Sequence, residues 1–262
     1  MQKTESILFA ASEVFPYLKT GGLADVAGAL PEALTALGLD VRIVMPAYDT
    51  AMAKASDARL INEFYLSHPN ACVEIWQAST ESAVTIYFLK IEDYFSRGVN
   101  PYLDDNGEPW GDNVFRFAQF SRALARISLD EAGLNWKPNV VHLNDWHTGL
   151  CAALLRNESR SPRTIFTIHN LAYQGISNKG EFDYFGFDAS HWSPDGMEFH
   201  GNWSLMKAGL NYADYLTTVS PTYAKEICTS EQGYGLEGVL KRREHLLFGV
   251  LNGIDYDLWD PN

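Results

Sequence analysis

Ser12-Glu13-Val14-Phe15-Pro16-Tyr17-Leu18-Lys19-Thr20-Gly21-Gly22-Leu23-Ala24-Asp25-Val26 follows directly on the apolar run of residues 7–11 and leads into a stretch of helical period over residues 23–37. A buried strand, a glycine-bearing turn and a helix in that order form the opening unit of a parallel α/β sheet. The chain repeats the unit. Apolar runs at residues 41–46, 84–91, 140–143, 164–168, 215–219 and 246–251 read as further buried strands. Amphipathic stretches at 113–130, 149–157, 203–212 and 221–228 read as helices, and Ser220-Pro221 supplies an N-cap followed by a first-turn proline. The alternation predicts an α/β fold: a Rossmann-like, mostly parallel sheet with helices on both faces. Loops leaving the carboxyl ends of such strands gather along one edge, where ligands bind. Residues 92–112 and 171–200, rich in Gly, Pro, Asp, Asn and aromatics, are expected to be surface loops that shape the site.

A chain of 262 residues with 46% hydrophobic and 20% charged content is long enough for its own core, as one large domain or two small ones. A net charge of −13 with no dense Lys/Arg run argues against nucleic acid and against an anionic membrane as partners. Cys72, Cys151 and Cys228 lie far apart and outside any C-x-x-C spacing, which disfavours a disulfide framework or a zinc knuckle. The first residues lack the charged and apolar regions of a signal peptide, and no apolar run approaches the roughly 20 residues of a membrane span. The expectation is a soluble cytoplasmic protein without metal or cofactor.

The opening motif carries the first chemistry. Adjacent glycines let a ligand approach the backbone, a helix N-terminus adds positive partial charge, and Lys19 supplies a full charge for a phosphate. The alternative is a tight turn with a solvated lysine. The motif is neither a Walker loop nor a G-x-G-x-x-G fingerprint. Asp25, one helical turn on, either stabilises the helix start or faces a ligand. Asp145 and His147 end a strand and enter the next helix, at the ligand edge. A zinc set of His142, Asp145 and His147 is disfavoured because strand alternation sends His142 and Asp145 to opposite faces. The plain alternative is a capping Asp beside a packed His. His169 closes the strand at 164–168 and precedes Asn170, Tyr173 and Gln174 in a loop. Tyr102, Trp110, Tyr173, Trp192 and Trp203 are candidates to stack on sugar rings, with core packing as the alternative for each. Asp112 is expected to cap the helix that begins at Asn113.

Taken whole, Lys19-Thr20-Gly21-Gly22-Leu23-Ala24-Asp25-Val26 resembles the signature of bacterial glycogen synthases and plant starch synthases. Four further blocks agree in content and order: His142 to His147, Thr167 to Gly175, Leu205 to Leu210, and Val250-Leu251-Asn252-Gly253-Ile254-Asp255. Residues 51–83 and 182–194 share only general character. The resemblance implies the N-terminal, acceptor-side catalytic domain of a GT-B fold over residues 1–262, with the C-terminal nucleotide-binding domain absent. It implies a retaining transfer of glucose from ADP-glucose, or UDP-glucose, to α-1,4-glucan. In its terms Lys19, Gly21 and Gly22 meet the sugar-nucleotide diphosphate. Asp145 and His169 serve the chemical step, with His169 donating to the transferring glucose. Asp25, His147, Asn170, Tyr173 and Gln174 contact glucosyl or acceptor hydroxyls. The competing expectations are a non-enzymatic glucan- or nucleotide-binding module and a carboxylate glycosidase, the latter needing two carboxylates that flank the bond.

Overall fold

The computed structural model describes residues 4–98 and 100–253; Ile254, Asp255 and the expected interdomain crossover near residues 258–262 lie outside the described residues. The chain runs β1 (Ser6–Ala10), α1 (Gly22–Ala36), β2 (Asp40–Pro46), α2 (Asp49–Lys54), β3 (Arg59–Ser67), β4 (Asn70–Ser79), β5 (Thr85–Ile91), α3 (Asn113–Ser128), β6 (Val140–Asn144), α4 (Trp146–Leu155) and β7 (Arg163–Ile168). It continues through β8 (Ile176–Asn178), α5 (Lys179–Tyr184), β9 (Glu198–Phe199), β10 (Asn202–Ser204), α6 (Leu205–Tyr212), β11 (Tyr215–Thr218), α7 (Pro221–Glu226), α8 (Glu237–Arg242) and β12 (Leu247–Gly249).

Nine strands form one sheet in the order β12-β11-β7-β6-β1-β2-β5-β4-β3. All neighbours from β12 to β5 are parallel, while β4 and β3 add antiparallel beyond β5. Central strands are buried on both faces, so Leu8, Phe9 and Ala10 of β1 are all fully enclosed and the strand reads as a continuous apolar run. From β1 the chain steps one way to β2; from β6, on the other side of β1, it steps the opposite way to β7. Right-handed crossovers then put α1 and α4 on opposite faces, and the loops after β1 and β6 diverge. This is a topological switch point, where a crevice opens at the carboxyl ends of the strands.

The α/β expectation holds, with three local departures. Residues 51–83 form α2 and the β3–β4 hairpin, whose inward positions Ala71, Val73 and Ile75 alternate with more open ones. Residues 171–200, expected as loop, build α5 and join β10 in a small sheet of order β8-β10-β9, closed over Phe182, Phe185 and Trp203. The helix expected from residue 149 begins at Trp146, which draws His147 into its first turn.

Of three side chains read from the sequence, Trp203 takes its core alternative, Asp112 departs from its expected cap and Ser220 caps as expected. Trp203 has no exposed surface and is core. Asp112 precedes α3 but makes no side-chain cap; its carboxylate takes two hydrogen bonds from Arg97, at 2.7 and 2.5 Å. Bidentate pairing with a guanidinium is the stronger contact and wins over the cap. Ser220 does cap α7, accepting from Tyr223 N at 2.9 Å.

Candidate active site

The crevice has one wall from the loop after β1 and one from the loops after β6 and β7. On the first wall, Gly21 is the N-cap of α1, and no side chain caps the helix. A Cβ built on Gly21 or Gly22 meets nothing within 4 Å. Packing therefore does not require these glycines, and the space above them is open to a ligand. Lys19 Nζ lies 2.7 Å from Asp25 Oδ1, with both side chains about half exposed. A pair this open is held weakly and is free to exchange for a phosphate.

Glu13, to which the sequence assigns no role, sits at the base of this wall at 3% exposure. Thr20 N donates to its Oε2 at 2.5 Å, and the Gly21 amide faces the same carboxylate. Burial raises its pKa above the usual carboxylate range, against the lowering effect of these hydrogen bonds.

On the second wall Asp145 is the N-cap of α4, with backbone at φ 55° and ψ 178° and its side chain only 7% exposed. Its Oδ1 accepts His169 N at 2.8 Å and Asn170 N at 3.3 Å. Leu171 N donates to Tyr223 Oη at 3.1 Å, and Ala172 N to Asn170 Oδ1 at 3.0 Å. Four successive amides of the His169 loop thus end on side chains. A trans peptide points its C=O opposite its N–H, so the His169 carbonyl is directed away from the Asp145 carboxylate. Burial pushes the Asp145 pKa up to about 7, with the Glu13 charge adding to the rise.

The His169 tautomer follows from Asn144. Asn144 Nδ2 donates to Ala10 O at 3.0 Å, which leaves Oδ1 facing His169 Nε2 at 3.0 Å. Nε2 therefore carries the proton and Nδ1 is the acceptor. Burial lowers the ring pKa to about 4, so it is neutral near pH 7. His147 is 6% exposed, stacked on the Tyr102 ring at 4.9 Å, and its Nδ1 finds no partner among the described residues. Burial, with Arg116 as the next cause, holds it well below the usual histidine range. Tyr102 in turn hydrogen-bonds the buried Ser12 hydroxyl at 2.7 Å.

Asn170 and Tyr173 are exposed, whereas Gln174 is buried with Nε2 on Tyr234 O at 3.0 Å. Gly175, at φ +57°, lies where a Cβ would come 2.3 Å from the Trp146 ring, so the loop end must be glycine. His142 turns away, onto Thr167 Oγ1 at 2.6 Å. Among the described residues no group of three His, Cys, Asp or Glu side chains is placed to hold a metal ion. The structure thus brings Lys19, Gly21, Gly22 and Asp25 together on one wall and Asp145, His147, His169 and Asn170 on the other. Glu13, Asn144 and Tyr223 escape sequence reasoning because a lone polar residue in a motif does not announce which amide it holds.

The starch synthase catalytic domain family matches residues 6–242. The chain belongs to this family. It is 47% identical over 257 residues to a glycogen synthase of Cellvibrio japonicus, covering 98% of this chain and 53% of that protein. A glycogen synthase of Hydrogenovibrio crunogenus is 50% identical over 264 residues, covering 97% of this chain and 53% of its own length. The catalytic domain of starch synthase IV from Arabidopsis thaliana, bound to ADP and acarbose, superposes with a TM-score of 0.84 at 31% identity, over 98% of this chain and 53% of that one. The chain therefore spans about half the length of these relatives. No helix among the described residues is long and apolar enough to cross a membrane.

Proposed function

We propose that the full-length protein is a retaining glucosyltransferase that extends α-1,4-glucan from ADP-glucose, and that this chain is the acceptor-side half of its cleft. The observation that carries the reading is the direction of the His169 loop. Its amides are turned inward onto Asp145 and Tyr223, so the wall offers carbonyl dipoles rather than an oxyanion hole. Such a wall stabilises the positive charge that develops at an anomeric centre as the diphosphate leaves.

In this reading Lys19 and the first-turn amides of α1 take the diphosphate, with Gly21 and Gly22 allowing close approach. The acceptor hydroxyl attacks on the face the diphosphate leaves, and a phosphate oxygen takes its proton. Asp145 acts through the loop it holds. His169, whose free nitrogen is an acceptor, accepts a hydrogen bond from a glucose hydroxyl instead of donating one. Asp25, Asn170 and Tyr173 face hydroxyls directly, whereas His147, buried against Tyr102, supports the wall from behind. Gln174, spent on Tyr234, shapes the wall from behind. A second domain supplies the base and glucose pockets. ADP-glucose is favoured over UDP-glucose by the relative bound to ADP.

A carboxylate glycosidase fits poorly, because both buried carboxylates of the crevice are engaged with loop backbone. The test is to incubate the full-length protein with glycogen and ADP-glucose. Radiolabelled glucose should enter the glucan in α-1,4 linkage with release of ADP. Release of free glucose from glycogen without transfer would overturn the reading.

A further inference from the structure

We propose that Glu13 is the positioning residue of the phosphate-facing loop, holding the Thr20-Gly21 backbone from beneath as Asp145 holds His169-Asn170. The inference rests on the reading of the Lys19 loop as the diphosphate site.

A carboxylate at 3% exposure is costly unless its lone pairs are occupied. Its site is electrostatically poor as well, with Asp25 raising its pKa and Glu13 itself raising that of Asp145. A residue kept there against burial and like charge is expected to serve a site. What Glu13 does locally is specific. It leaves β1 at the strand's carboxyl end and bonds the chain again seven residues later, at Thr20 N. The rest of the loop is fastened elsewhere: Phe15 N donates to Ala24 O at 3.0 Å, Leu18 N to Val14 O at 3.0 Å, and Lys54 Nζ to Pro16 O at 2.7 Å. Glu13 is thus the tie at the end of the loop that carries Lys19 into α1.

Two consequences follow. The Thr20 amide is turned inward and the Gly21 amide faces the same carboxylate, so the groups left for an anion are Lys19 Nζ and the uncapped first-turn amides of α1. Their direction is set by where Glu13 holds Thr20, the residue before the helix cap, because Gly21 has no packing contact of its own at the Cβ position. With the tie removed, the entropy of an unfastened loop opposes each phosphate contact.

The experiment compares Glu13→Ala, Glu13→Gln and Lys19→Ala in the full-length protein, reading kcat, KM for ADP-glucose, and amide hydrogen exchange at Thr20 and Gly21. Glu13→Ala should raise KM about tenfold or more, roughly the loss of one good contact, with a smaller change in kcat and faster exchange at Thr20 and Gly21 than in wild type. Glu13→Gln should restore both KM and exchange protection, since its amide oxygen accepts the same N–H groups. If the alanine variant fails to fold, Glu13→Asp, too short to reach Thr20 N, should show the raised KM instead. Wild-type KM in the folded alanine or aspartate variant, or unchanged exchange at Thr20 and Gly21, would overturn the proposal. Wild-type KM in Lys19→Ala would contradict the phosphate reading instead, while exchange at Thr20 and Gly21 still decides whether Glu13 holds the loop.

Discussion

Asp145 occupies a backbone region, φ 55° and ψ 178°, that strains a residue bearing a Cβ, and such strain typically costs about 1–3 kcal/mol. Its carboxyl adds an electrostatic cost. The folded pKa is raised to about 7 from an ordinary value of 3.8, so between these values the folded state binds more protons than the unfolded one. Stability attributable to this group is then full below about pH 4 and declines as pH rises towards 7. Asp145→Asn keeps an oxygen for the His169 and Asn170 amides without the charge. The variant should melt higher than wild type at pH 7.5, by an amount reflecting up to a few kcal/mol, and the gap should close as the pH is lowered to 4. A pH-independent gap would assign the effect to backbone preference alone. Turnover should fall in the same variant, the expected exchange of stability for function at a strained site. Lys19→Ala should behave oppositely. Its partner Asp25 is half exposed, so melting should barely change. Loss of a charge-assisted phosphate contact, about 1.5–3 kcal/mol, should raise KM for ADP-glucose by roughly 10- to 150-fold. Steady-state kinetics read this directly.

Helices α4 and α6 cross closely because glycine stands at the contact. A Cβ on Gly149 would lie 2.2 Å from Leu205 O and 3.2 Å from Gly209 N. Gly149→Ala must push α4 off the helix that carries the Leu205 block, and overpacking of this kind costs about 1–3 kcal/mol or more. Thermal melting should drop by several degrees. Gly22→Ala, with open space at its Cβ, should leave melting near wild type yet raise KM for the sugar nucleotide. The two glycines look alike in the sequence, and only the structure separates a packing glycine from a site glycine. The same holds for whole elements. The parallel strands were legible because strands buried on both faces are dominated by apolar runs, as over residues 7–10 of β1. Hairpin strand β4 escapes that reading, since its buried positions alternate with more open ones instead of forming a run. Residues 171–200 were not legible either, because β8, β9 and β10 are two or three residues long, too short for any period to show. In the site, Lys19, Asp145 and His169 could be found from motif and strand end. The Asn144 bond that settles the His169 tautomer, and the Glu13 tie, depend on contacts across the sheet.

The whole chain presents a closed core and an open crevice. Its nine-stranded sheet and enclosed β1 predict a cooperative melt for the isolated chain. The crevice is expected to be a half-site, since the chain spans about half the length of its curated relatives and the proposed base and glucose pockets belong to the second domain. One phosphate contact of a few kcal/mol leaves sugar-nucleotide affinity at roughly millimolar or weaker. The most direct measurement is transfer of radiolabelled glucose from ADP-glucose to glycogen by the purified 262-residue chain, beside the full-length protein at equal concentration. Transfer is expected from the full-length protein and none from the chain alone, although the chain melts cooperatively. Turnover by the chain alone, or no transfer by a full-length protein that melts cooperatively, would contradict this.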